Sequence, residues 1–117
     1  MIDKVDYDAF AWIKANVDSN HQKAILDPWK ATPFAALTEK YVYTRIHSAP
    51  KDTDEKTYDF IRSGSANTSF LTQNGISIIY TRVYEWGQGT TVEYGVNNPD
   101  LVEVRKDIYL LREKASK

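Results

Sequence analysis

Ala24-Ile25-Leu26-Asp27-Pro28-Trp29-Lys30-Ala31-Thr32-Pro33-Phe34-Ala35-Ala36-Leu37-Thr38-Glu39-Lys40-Tyr41-Val42-Tyr43-Thr44-Arg45-Ile46 reads as strand, helix, strand. The apolar run 24–26 ends on Asp27-Pro28, a turn pair. Thr32 as N-cap and Pro33 at the first helical position predict a helix over 31–39. Residues 41–46 are rich in aromatic and β-branched side chains, which suit a pleated, half-buried strand. Two strands separated by a helix pair in parallel, because a hairpin would need only a short turn between them.

The flanks extend this alternation. Phe10, Ile13 and Val17 fall on one stripe, so a helix is predicted over 7–17, with Asp6 as N-cap and Asp18-Ser19-Asn20 as its stop. Residues 47–54 contain Pro50 and read as a loop. Residues 54–62 read as a helix with Tyr58 and Ile61 inward, closed by Ser63-Gly64. A shorter helix is expected over 66–73, capped by Ser65 and ended by Asn74-Gly75. Ile76-Ser77-Ile78-Ile79-Tyr80-Thr81 is the clearest strand of all. Residues 83–98 hold Tyr84, Trp86, Tyr94 and three glycines. They suggest a long, partly ordered loop carrying a short helix or hairpin. Residues 101–104 and 108–111 read as a closing hairpin around Arg105-Lys106-Asp107. A single C-terminal helix is the alternative, since Leu, Glu, Arg and Lys favour one. Residues 112–117 read as a frayed tail.

The order α, β, α, β, α, α, β, hairpin predicts a single α/β domain over 1–117. The expected architecture is a small three-layer, Rossmann-like domain. Its sheet is mostly parallel, with three strands plus the C-terminal antiparallel hairpin. Its 117 residues suffice for one core without staples. Fifteen basic and sixteen acidic residues give a net charge of -1, which argues against nucleic acid as a partner. Cysteine is absent, so disulfides, thiol catalysis and thiolate metal sites are excluded. The only histidines are His21 and His47, too few for a His-rich metal site. No apolar run is long enough to span a bilayer.

In open α/β sheets, ligands gather at the carboxyl ends of parallel strands. Those ends place Asp27, Trp29, Lys30, Arg45 and His47 as candidate ligand-binding residues: an acid, an indole, cations and an imidazole suited to a sugar or an anion. The bland alternative makes Asp27 a turn cap and Trp29 a cover for the core edge. Tyr84, Trp86 and Tyr94 are candidate contacts for a partner or membrane surface, or else a cover for the sheet. No catalytic residue, metal site or cofactor is assigned. Glycine-rich dinucleotide and phosphate loops are missing, and Ser63-Gly64-Ser65 lacks the spacing of a nucleophile elbow. Trp86-Gly87-Gln88-Gly89-Thr90-Thr91-Val92 matches an antibody joining segment, but helical patterns and the absent cysteine pair make that a coincidence. Asn67-Thr68-Ser69 is an N-glycosylation sequon. Asp52, Asp54 and Glu55 suit the first turn of a helix.

Several of these segments resemble the soluble tails of polytopic GT-C-type membrane glycosyltransferases, of the oligosaccharyltransferase-like and dolichyl-phosphate-sugar kind. Asp6-Tyr7-Asp8-Ala9-Phe10-Ala11-Trp12-Ile13-Lys14-Ala15-Asn16 is similar to the helix that opens such tails. Residues 25–32 with 35–38, then 41–43, 70–71 with 74–80, and 101–112 resemble the elements that follow. The resemblance implies a non-catalytic, extracytoplasmic domain tethered to a longer chain. Its implied partners are the membrane domain of that chain and a lipid-linked sugar. The catalytic carboxylates of such enzymes would lie elsewhere. The Trp-Trp-Asp-Tyr-Gly motif of the oligosaccharyltransferase branch is absent, which argues against a peptide-acceptor site. Two alternatives stand beside this expectation. One is a free-standing cytosolic module that binds a sugar or an anion. The other is a small enzyme using His47 and Asp27.

Overall fold

A computed structural model describes residues 2–44 and 51–112. Its elements are α1 (Lys4–Asn16), β1 (Lys23–Ile25), α2 (Ala31–Thr38), β2 (Tyr41–Val42), α3 (Lys51–Arg62), α4 (Thr68–Gln73), β3 (Ile78–Tyr80), β4 (Arg82–Glu85), β5 (Thr90–Glu93), β6 (Leu101–Arg105) and β7 (Ile108–Leu111). A 3-10 turn, Pro28–Lys30, leads into α2. Every predicted strand and helix among the described residues is present, with shifted ends. The end of the second predicted strand (45–46), the loop around Pro50 and residues 113–117 lie outside the described residues.

The main sheet has the order β2-β1-β3-β7-β6. β1 pairs in parallel with both β2 and β3. β3–β7 and β7–β6 are antiparallel. The sheet is therefore mixed rather than mostly parallel, because the C-terminal hairpin adds as many antiparallel ladders as the crossovers add parallel ones. β4 and β5 form a second, two-stranded antiparallel sheet. Of the short helix or hairpin expected within the loop over 83–98, the structure has the hairpin.

Alternation along the strands divides the core between two faces. Ala24, Leu26, Ile78 and Tyr80 meet Phe10 and Ile13 of α1 and Phe34 of α2. Ile25 and Ile79 meet Phe60 and Ile61 of α3 and Leu71 of α4. The crossover from β1 to β2 thus covers one face and that from β2 to β3 the other. The chain leaves β1 for a neighbour on one side and later returns to its other side. The direction reverses between β1 and β3, and in open α/β sheets ligands gather in the crevice beyond the carboxyl ends of such strands.

Helix starts differ from expectation for physical reasons. α1 begins three residues earlier than expected because Asp3, not Asp6, caps it: Asp3 Oδ1 accepts from the Asp6 amide at 2.9 Å, and Asp6 Oδ2 accepts from the Asp3 amide at 3.3 Å. This reciprocal arrangement satisfies two otherwise orphaned donors. α2 has no side-chain cap, since the 3-10 turn feeds it directly. Pro33 sits in its first turn, where an amide hydrogen would have no partner in any case. α4 is capped by Asn67, whose Oδ1 accepts from the Phe70 amide at 3.1 Å, rather than by Ser65.

Candidate functional site

Three segments far apart in sequence converge at the β1/β3 crevice. The N-terminus of α1 brings Ile2, Asp3 and Asp6. The turn after β1 brings Trp29 and Lys30. The β4–β5 hairpin brings Tyr84, Trp86 and Thr91. Together they line a cleft of about 250 Å³.

One wall is aromatic. Trp29 and Trp86 meet edge to face with centroids 5.4 Å apart, and Tyr84 meets Trp86 likewise at 4.7 Å. Trp29 is 56% exposed and Trp86 54%, so neither indole serves mainly to cover the core. Edge-to-face packing fixes the rings relative to one another.

The other wall is ionic. Asp6 is buried and collects partners from three segments. Its Oδ1 accepts from Tyr80 Oη at 2.6 Å and Arg82 Nη1 at 2.8 Å. The Lys30 ammonium lies 2.9 Å from Asp6 Oδ2, close enough for an ion pair but out of line for a hydrogen bond. Arg82 Nη1 also reaches Asp3 Oδ1 at 3.0 Å, and Arg82 Nε lies 3.6 Å from Glu93. Burial and the charge of Asp6 both push the Tyr80 phenol up, so it remains a donor. Burial would raise the Asp3 carboxyl. The Arg82 and Asp6 hydrogen bonds and the charges of Arg82 and Lys30 outweigh that and hold it at about 2. Asp3 is therefore an anion at every ordinary pH, and its side chain is half exposed at the cleft.

The hairpin that carries Tyr84 and Trp86 is tied down at its base. Asp27 Oδ2 accepts from the Tyr84 amide at 2.9 Å. Arg62 donates to both Glu85 oxygens, at 2.9 and 2.6 Å. The Tyr94 hydroxyl donates to the same carboxylate. The Arg62 hydrogen bonds lower the Glu85 carboxyl against its desolvation, so it stays charged.

The residues singled out from sequence separate on this geometry. Trp29 and Lys30, named as ligand contacts, share one cleft with Tyr84 and Trp86, named as partner contacts. Asp27 is fully buried and occupied. Its Oδ1 accepts from the Trp29 amide at 3.0 Å and the Tyr58 hydroxyl at 3.3 Å, so it caps the turn and anchors the hairpin. Tyr94 belongs to the Glu85 cluster, not to the cleft. Arg45 and His47 lie outside the described residues. Ile2, Asp3, Asp6 and Thr91 were missed. Asp6 carried a signal, an acid early on a helix, but it was read as a cap.

Comparison of the chain with protein-family models, curated proteins and solved structures finds no match. Among the described residues no helix is long and apolar enough to cross a membrane, and no cluster of metal-ligating side chains occurs.

Proposed function

We propose that this domain is a non-catalytic binding module whose aromatic cleft receives a single sugar ring. The observation that carries this reading is the Trp29–Trp86–Tyr84 wall beside the Asp3 carboxylate. A sugar has an apolar face that rests on an aromatic surface and a rim of hydroxyls that need acceptors. The cleft, at 250 Å³, is smaller than the roughly 300 Å³ at which drug-sized pockets begin. That volume suits one ring rather than two. An aromatic cage for a quaternary ammonium would need rings spread about the ion, each within about 6 Å of it. Here the rings touch one another and leave no gap between them. The ionic wall balances its acids against Lys30 and Arg82, so it offers no net attraction for a free anion.

The position of the cleft agrees with a small three-layer, Rossmann-like reading of the domain, in which ligands settle where the strand order reverses. A tail packing on the membrane domain of a parent glycosyltransferase, on the extracytoplasmic side, is the second reading. The observation that favours it is the set of exposed large apolar side chains, Val5, Tyr7, Trp29, Tyr41 and Trp86. In that setting the sugar would be the lipid-linked one.

Titration with a panel of monosaccharides, followed by the indole Nε1–H signals, tests the first reading. Trp29 and Trp86 should shift, while Trp12, packed against the core on α1, should not. Trp29→Ala and Trp86→Ala should each weaken binding about tenfold or more, the loss of one stacked ring. Shifts at neither indole across the panel would overturn the reading. Binding to liposomes without any sugar response would favour the membrane-domain reading instead.

A further inference from the structure

Resting on that reading, we infer that Asp3 sets the chemical class of sugar: the cleft takes a neutral sugar through a hydroxyl and rejects acid sugars and sugar phosphates. Of the charged side chains that line the cleft, Asp6 and Lys30 are withdrawn from solvent, 1% and 2% exposed, and bound to each other. Among the described residues, Asp3 is the charge that an entering ligand meets, with its side chain 51% exposed.

Its hydrogen bonding leaves room for a ligand. Asp3 Oδ1 accepts from the Asp6 amide at 2.9 Å and from Arg82 Nη1 at 3.0 Å. Among the described residues, Oδ2 receives only the longer 3.3 Å contact from the same Arg82 nitrogen. An ionised carboxylate offers about four acceptor positions and no donor. Oδ2 therefore keeps acceptor capacity, and only a group with a hydrogen to give can use it. A sugar hydroxyl fits. A uronate or phosphate oxygen facing Oδ2 would set two anions side by side, and partial burial limits how far salt screens them.

The geometry also explains why the rejected ligand finds no compensation nearby. The Arg82 Nη1 donor is already shared between Asp3 and Asp6, and the Lys30 nitrogen is shut away from solvent. Arg82 is not among the residues that line the cleft, so neither cation presents a donor to an anion entering it.

The test compares glucose, galactose and mannose with glucuronate and galacturonate by NMR titration of the wild-type chain and of Asp3→Asn. Asn caps a helix as well as Asp does, so α1 keeps its start. Wild type should bind its preferred neutral hexose at least about tenfold more tightly than the matching uronate, the scale of one unscreened like-charge contact. In Asp3→Asn that ratio should fall to about threefold or less, because the amide can donate to the carboxylate and the Arg82 charge loses one of the carboxylates that offset it. A purely structural role for Asp3 would weaken both ligands alike and leave the ratio unmoved, which overturns the inference. Wild-type affinities for hexose and uronate within threefold of each other overturn it without needing the variant, and leave the sugar reading intact. No response to any neutral sugar defeats the sugar reading and this inference together.

Discussion

Asp6 shows how one misread residue can hold a site together. As a carboxylate at the third position of a helix it looks like a cap, and it does return a hydrogen bond to Asp3. Its larger role is to neutralise Lys30 and Arg82 and to accept from Tyr80 in the interior. Removing one partner of a buried ion pair leaves the others uncompensated, which costs about 3–5 kcal/mol. Asp6→Ala should lose that much in urea denaturation. Tyr80→Phe removes one hydrogen bond to a charged acceptor and should lose about 1.5–3 kcal/mol. Asp3 adds a dependence on pH. Its folded carboxyl titrates at about 2 against an ordinary 3.8. As pH falls through that window, the unfolded chain binds the proton first and stability declines. The urea midpoint should therefore drop between pH 4 and 2, and less steeply in Asp3→Asn. No sequence pattern joins Asp6 to Arg82, because the contact depends on how β3 and β4 follow α1 in space.

The β4–β5 hairpin is the element that sequence reading handled least well. Its glycines and rings suggested a partly ordered loop carrying a short helix or a hairpin, and left open which. The structure closes it with the four-residue turn Trp86-Gly87-Gln88-Gly89, in which the Glu85 carbonyl accepts from the Gly89 amide at 2.8 Å. Gly89 has a φ of +68°, while Gly87 has no such constraint and open space around it. A side chain in the left-handed region costs about 1–2 kcal/mol. Gly89→Ala should lower stability by that amount, while Gly87→Ala should be neutral within about 0.5 kcal/mol, both read from thermal midpoints. The hairpin is oriented by the bidentate Arg62–Glu85 pair. Arg62 is 45% exposed, so Glu85→Gln should cost only about 1 kcal/mol overall. Its sharper sign should be local: faster amide exchange at Val83 and Val92, which pair across β4 and β5. By contrast, the strands of the main sheet were legible, because Ile78, Ile79 and Tyr80 are fully buried and leave an unbroken apolar run.

At the scale of the molecule, alternation of elements was enough to predict an α/β domain with a closing antiparallel hairpin, but not that antiparallel ladders would equal parallel ones in number. β7 joins β3 edge to edge because the hairpin has no crossover helix to turn it round. The site was legible in halves. Trp29 with Lys30 and Tyr84 with Trp86 were each recognised, yet only the docking of the hairpin over the β1/β3 crevice makes them one surface. That assembly has a thermodynamic consequence. The cleft draws on residues 2–6, 29–30 and 84–91, so no unfolded chain can reproduce it. A ligand that binds only the folded state stabilises it by mass action, about 2.7 kcal/mol at a hundredfold excess over Kd. A bound neutral hexose should therefore raise the thermal midpoint of the wild-type chain by several degrees for a domain of this size. At the same ligand concentration the rise should fall to about half in Trp86→Ala, because binding about tenfold weaker leaves about 1.4 kcal/mol of that stabilisation; Trp86 is 54% exposed, so its loss leaves the fold largely intact. Glu85→Gln should retain part of it, since a loosened hairpin spends only some of its time over the cleft. An equal rise in wild type and Trp86→Ala would mean that the sugar acts through the solvent, not through the aromatic wall.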